Sequence, residues 1–267
     1  MNFEFHIDGV KRHKRWTERL DRAWRRLTEP ERLAAAAIRA PGGEIALDLP
    51  DDPGIRYVLD EVLTRDCYPI VPGAGEIATI VDVGANVGIA AARFRLAYPG
   101  ARILCFEPNP AALAYLRFNA PRARAEIFEF GLGETDARLP LYQGAHSTVT
   151  ASLSPRDLTR VEPTETVEIR AGGEALVRAG VSSVDLLKID TEGAEMPILN
   201  SLAPLLPGIR IVYLEFHSEA DRRGIEAIFA ATHVLWAGTI ERASSGQLVY
   251  LRRDLFRSDA RGAHHLR

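Results

Sequence analysis

From residue 77 onward, short β-branched runs alternate with helix-length amphipathic segments, and this alternation constrains the fold more than any other feature of the chain. Strands that read as continuous apolar runs, each followed by a helix, belong to a parallel sheet covered on both faces. The pattern predicts strands at residues 77–83, 102–106, 125–130, 184–189 and 210–216. Helices are expected at 88–97, 110–119, 194–202 and 219–230. Two further runs, 232–236 and 247–251, flank Ser244-Ser245-Gly246 and read as an antiparallel hairpin closing one sheet edge. The fold class that follows is α/β, a Rossmann-like doubly wound sheet, mostly parallel, with an antiparallel C-terminal hairpin.

Around that core the chain divides further. In residues 11–39 the spacing of Trp16, Leu20, Trp24 and Leu27 places them on one face of an Arg-rich helix. Residues 1–40 therefore read as a basic helical extension that packs on the body, pairs two chains into a homodimer, or serves as a binding arm. A strand at 44–49 and a helix at 55–63 open the main domain, 41–254. The stretch 134–173 holds strand-like pieces at 138–142, 148–153 and 166–170. It is too long for a plain crossover and is expected as an insertion or cap over the site. The polar residues 255–267 read as a flexible tail.

With 46% apolar and 26% charged residues the chain has the makings of an ordinary core. Cys67 and Cys105 are its two cysteines, in no zinc or disulfide spacing. Thirty-three basic residues against 36 acidic give a net charge of −3, which offers no general case for nucleic acid or an anionic membrane. No signal-peptide core and no apolar run of about 20 residues is present, so a cytoplasmic location without a membrane partner is expected.

The first strand ends in Asp82-Val83-Gly84-Ala85-Asn86-Val87-Gly88, a small-residue turn feeding a helix. Backbone at such a turn can approach a ligand closely, and the helix start offers free N–H groups. Asn86 and Ile89 occupy positions where a dinucleotide fingerprint needs glycine, and no Gly-Lys-Ser/Thr makes it a P-loop. Asp82, two places before the first glycine, could instead accept a hydrogen bond from a cationic or zwitterionic ligand. Glu107, 23 residues beyond Gly84, ends the second strand in Phe106-Glu107-Pro108-Asn109, placed to take two ribose hydroxyls. A nucleoside with an amino-acid tail fits both acids, which describes S-adenosylmethionine.

A second signature, Leu187-Lys188-Ile189-Asp190-Thr191-Glu192-Gly193-Ala194-Glu195, brings more acids to a strand's C-terminal end, facing the same crevice. Together the three segments resemble the FkbM family of S-adenosylmethionine-dependent methyltransferases, over about residues 60–235. The resemblance implies a class I methyltransferase fold, commonly O-methylation of sugar or natural-product hydroxyls, and S-adenosylhomocysteine as product. It implies that Asp82, Gly84, Ala85, Asn86 and Gly88 line the methionine part and Glu107 with Pro108 the ribose. Phe130, Gly131 and Leu132 are then expected near the adenine, although the usual acidic adenine contact is not evident there.

A hydroxyl acceptor must lose its proton during or after attack, which calls for a base near the methyl group. His217, after the fifth strand, is the first candidate because an imidazole titrates near neutrality; the bland alternative is a histidine capping the next helix. Asp190 and Glu192 are alternative bases or orienting partners. With Glu215 and His217 they could instead hold magnesium on the acceptor hydroxyl, a weaker reading. Lys188 reads either as a substrate contact or as a structural ion pair, and Glu195 as a carboxylate in the next helix's first turn. His146, Ser147 and Glu215 are candidate substrate contacts. An amine or carrier-bound acceptor, and a nucleoside-binding module without catalysis, remain as rival functions.

Overall fold

The computed structural model describes residues 4–6, 36–40, 43–144, 147–153, 165–242, 245–258 and 264–266. Its centre is a seven-stranded sheet in the order β13-β14-β12-β11-β4-β5-β6. These are His233–Arg242, Ser245–Arg252, Ile211–Phe216, Leu186–Ile189, Thr79–Val83, Arg102–Phe106 and Ala125–Phe128. The five strands β12, β11, β4, β5 and β6 run parallel, and the β13–β14 hairpin joins β12 antiparallel. The predicted class and the antiparallel edge are therefore observed.

Two apolar layers cover the sheet. One face packs on α1 (Pro53–Leu59), α2 (Ile89–Ala97) and α3 (Pro110–Arg122) through Ile55, Phe94 and Leu116. The other packs on α4 (Gly172–Arg178), α5 (Glu195–Leu202) and α6 (Glu219–Phe229) through Leu176, Ile198 and Phe229. Local chemistry sets the helix starts: Asn109 caps α3 by accepting from the Ala111 amide ahead of Pro110, and Ser218 caps α6 by accepting from the Asp221 amide. No side chain caps α2, whose N-cap is Gly88.

α1 does not stop at Leu59 but widens into a π-turn over Asp60–Thr64. The buried Arg93 of α2 anchors that turn, donating to the carbonyls of Val62 and Tyr68 and pairing with Asp66. The expected strand 125–130 ends at Phe128, and the chain restarts as β7 (Gly131–Gly133) in a second sheet. That four-stranded sheet, β7-β10-β8-β9, adds β8 (Ala137–Gly144), β9 (Ser147–Ser152) and β10 (Glu165–Ala171), so the insertion is a sheet with a small core of Leu141, Val167 and Ile169.

N-terminal to the main sheet, β1 (Glu4–His6), β2 (Ala36–Ala40) and β3 (Gly43–Leu47) form an antiparallel sheet. The Trp16–Leu27 helix lies outside the described residues, as does His146. The segment expected to be loose after Asp254 carries a short antiparallel pair, β15 (Phe256–Ser258) with β16 (His264–Leu266), and Phe256 is buried. No described helix is long and apolar enough to cross a membrane.

Candidate active site

Strand register draws one line of residues across the sheet. Cys105, Asp82, Lys188, Tyr213 and Val249 are paired in sequence across β5, β4, β11, β12 and β14. Two residues beyond, at the C-terminal ends of the parallel strands, come Glu107, the Gly84 turn, Asp190 and Glu215, with Gln247 opposite Glu215. The two sequence signatures meet here physically. A Cβ on Gly84, whose φ is +75°, would fall 1.9 Å from the carbonyl oxygen of Asp190. Only glycine satisfies both that backbone and that approach.

Glu107 is buried, and its two oxygens accept the amides of Asn86 and Asn109, each at 2.8 Å. Burial raises its carboxyl to about 7 against those two hydrogen bonds. Each oxygen keeps a second lone pair. Asn86 has φ of +50°, and its buried side-chain oxygen finds no hydrogen-bond partner. A buried acceptor without a partner, beside a carboxylate with lone pairs to spare, is what a ligand's hydroxyl or ammonium donors would satisfy.

Several of the expected ligand contacts have partners within the protein. Asp82 is fully buried and lies 3.2 Å from the Lys188 ammonium, so the cation it was expected to meet is the protein's own. Lys188, also buried, lies 3.5 Å from Asp190 and donates to the Gly84 carbonyl at 2.6 Å. That places it in a structural ion pair, one of the two readings the sequence left open. Burial would lower its pKa, but Asp82 and Asp190 raise it instead. Gly88, with φ of +91°, makes room for Leu116 and Asn119 of α3. Ala85 is buried, and Pro108 packs at Gly131, where a Cβ would crowd Ile169. Phe130 and Leu132 are buried too, Phe130 among Phe106 and Phe128 with the Arg170 guanidinium over its ring, leaving backbone for a ligand.

The acids of the second signature form one cluster. Burial alone would raise Asp190, but Lys188 and a hydrogen bond from Glu215 hold it down to about 2. Tyr68, absent from the sequence reading, donates its hydroxyl to Asp190 at 3.0 Å. Burial and the ionised Asp190 push Glu215 well above the usual carboxyl range. Of the two, Asp190 is favoured as the carboxylate and Glu215 as the acid.

His217 does not fit the expected general base. Its Nε2 lies 3.2 Å from Glu192 and its Nδ1 3.3 Å from Glu195. Burial would lower its pKa, yet these two carboxylates push it up to about 11. These neighbours favour the imidazolium, in which neither nitrogen has a lone pair to accept a proton. Among the described residues no three His, Cys, Asp or Glu side chains are arranged to hold a metal ion.

Glu195 sits in the first turn of α5 as expected and does more. Fully buried, it accepts from the amides of Thr191 and Gly193, fixing the turn in which Glu192 has φ of +56°. Ser152 at the end of β9 donates to the Glu192 carbonyl at 2.6 Å, which ties the second sheet to this turn. Ser147 begins β9.

The family whose model is described as the methyltransferase FkbM domain matches residues 82–237, more than half of the chain. Among curated proteins, the 2-O-methyltransferase NoeI of Sinorhizobium fredii is 29% identical over 52% of this chain and 63% of its own. The hexuronic acid methyltransferase AglP of Haloferax volcanii is 24% identical over 59% of this chain and 63% of its own. The 31-O-demethyl-FK506 methyltransferase FkbM of Streptomyces tacrolimicus is 25% identical over 61% and 74%. The sheet order, the glycine turn fixed under Asp190 and this match agree, and the chain belongs to the methyltransferase FkbM domain family.

Proposed function

We propose that the protein is an S-adenosylmethionine-dependent methyltransferase acting on a hydroxyl oxygen of a small acceptor. The observation that carries this reading is the convergence, on one sheet face, of the Gly84 turn and Glu107 with the Asp190–Glu215 pair. Names of relatives such as the 2-O-methyltransferase NoeI support oxygen as the atom methylated. When bound, S-adenosylmethionine supplies an electrophilic methyl on a sulfonium, with S-adenosylhomocysteine left behind.

The chain's own residues divide the remaining work. Glu107 would take the ribose hydroxyls, while Asn86 and the Gly84 turn would hold the amino-acid end. The acidic crevice favours a cationic ligand over its neutral product. Asp190 would receive the acceptor proton. Attack by a neutral hydroxyl leaves a protonated ether, far more acidic than a carboxylic acid, so a carboxylate held near 2 is still base enough. Tyr68 and Lys188 fix Asp190 in place, and the His217 imidazolium braces Glu192 and Glu195.

Calorimetry tests the reading first. Binding of S-adenosylhomocysteine, lost on Glu107→Ala, is the expected outcome; absence of binding to the unaltered protein refutes it.

A further inference from the structure

Arg93 is a buried cation that the proposed chemistry does not use, 1% exposed in the middle of α2. Taking a charge out of water is costly, and an apolar side chain would fill the same layer without that cost. What Arg93 holds is backbone. Its Nη1 donates to the Val62 carbonyl at 3.1 Å, while its Nε and Nη2 donate to the Tyr68 carbonyl at 3.2 and 3.0 Å. Nη2 also pairs with Asp66, whose φ is +56° and whose side chain is half-exposed. A planar guanidinium spans two carbonyls in a fixed fork, which a single ammonium does not reproduce. The π-turn and the reversal at Asp66 are thus fixed from one helix, and Tyr68 leaves that turn in a set direction.

The Tyr68 ring is buried against Phe94, the next residue of α2, and against Tyr213 of β12, with centroids 5.9 and 5.4 Å away. Tyr213 in turn donates its hydroxyl to the Pro69 carbonyl, holding the segment from its other side. The Tyr68 hydroxyl then reaches Asp190 Oδ2 at 3.0 Å, the same oxygen that lies 3.5 Å from the Lys188 ammonium. Oδ1 is the oxygen that neither of them occupies. Resting on the reading of Asp190 as proton acceptor, we propose that Arg93 is a positioning residue for methyl transfer, acting through the π-turn and Tyr68 to leave Asp190 Oδ1 as the oxygen presented to the acceptor. The same helix also carries the glycine turn. α2 begins just after Gly88, where that turn ends, and Arg93 stands five residues on. Methyl donor and base are therefore aligned by one rigid element, and a displacement of about 1 Å between reacting groups can cost about 10²-fold in rate.

The test reads Asp190 by NMR in the full chain, labelled with aspartate carrying carbon-13 at the carboxyl, its signal assigned by loss in Asp190→Asn. Lys188, Glu215, His217 and Tyr68 all bear on that carboxyl, and the variants leave the first three in place. Tyr68→Phe removes the hydroxyl, whereas Arg93→Lys keeps the charge and loses the fork, so that lost charge does not explain its effect. In the unaltered protein the signal should stay that of the carboxylate down to pH 3. Tyr68→Phe should raise the midpoint by about one pH unit, because a hydrogen bond to the ionised form is lost. Arg93→Lys should raise it by about half as much or more without touching Asp190, and the double variant should move no further than Tyr68→Phe alone. Affinity for S-adenosylhomocysteine by calorimetry should stay within about threefold in both variants, since neither side chain touches the glycine turn. If Arg93→Lys does not fold by circular dichroism, Asp66→Asn loosens the same clamp from its half-exposed side, keeps a residue suited to positive φ, and should move the midpoint in the same sense. The inference is overturned if folded Arg93→Lys, or Asp66→Asn in its place, leaves the Asp190 midpoint unchanged, or if the shifts of Arg93→Lys and Tyr68→Phe simply add. Failure of the unaltered protein to bind S-adenosylhomocysteine overturns the methyl-transfer reading instead, whatever the Asp190 signal does.

Discussion

His217 lies within 3.3 Å of a carboxylate at each ring nitrogen, and the two interactions act in the same direction on its proton. A group held up to about 11 stays charged through the neutral range, so the proposed reaction gives proton acceptance to Asp190. The two roles separate in kinetics. Asp190→Asn should lower kcat by about 10²–10⁴, the usual worth of a positioned base. His217→Gln should lower kcat less and raise KM for S-adenosylmethionine, because it loosens the turn holding Glu192. With S-adenosylmethionine saturating, so that titration of Glu107 near 7 does not limit turnover, the rate profile of the unaltered protein should lack an inflection near 6.5, the value of a free imidazole. Initial rates of S-adenosylhomocysteine release between pH 5 and 9 decide this; a rise near 6.5 that His217→Gln abolishes would restore the histidine as base.

At the scale of elements, the pairing of β4 with β11 sets Lys188 directly beside Asp82, and both are almost entirely buried. A buried pair contributes little net stability yet is costly to break, since the survivor is left charged and unsolvated. Lys188→Met should therefore cost about 3–5 kcal/mol in urea denaturation, while Asp82→Asn with Lys188→Met should recover much of that loss. Strictly additive losses would show that the two side chains do not act as a pair. That pairing explains what the sequence could and could not reveal. Apolar runs are legible by composition, so β5 and β12 fall at or within a residue of expectation. Register is not legible, so nothing in the sequence showed that Lys188 and Asp82 share one line and consume each other's charge. The short α4 gave no signal either, because it begins Gly172-Gly173 without a capping side chain. Tyr68 stood in a segment with no motif and reaches Asp190 only through the fold. The break after Phe128 leaves no mark in the sequence because one apolar run serves two sheets.

Across the whole molecule a net charge of −3 hides a crevice where Asp82, Glu107, Asp190, Glu192, Glu195 and Glu215 meet two cations, Lys188 and the His217 imidazolium. The fold keeps this cluster by retaining protons: Glu107 rises to about 7, Glu215 rises well above its ordinary value, and His217 rises to about 11. All three pKa values are higher in the folded chain than in the unfolded one. The native state therefore binds more protons than the unfolded state between about pH 4.5 and 11, and stability must fall as pH rises through that window. For His217 alone the stabilisation is complete below about 6.5 and lost by about 11. Asp190, held down to about 2, acts in the opposite sense but titrates at the acid end, so it does not offset the slope above neutrality. One extra bound proton corresponds to roughly 1.4 kcal/mol per pH unit, and screening at the partly open Glu192 side shortens the pH range over which that slope holds. At about 2–4 °C per kcal/mol, Tm should drop several degrees between pH 6 and 9.5. His217→Gln should lower Tm at pH 6 and flatten the decline, bringing its curve toward that of the unaltered protein at pH 9.5. Thermal melts followed by circular dichroism provide the measurement, and parallel curves for the two proteins would mean that His217 carries no excess proton in the native state.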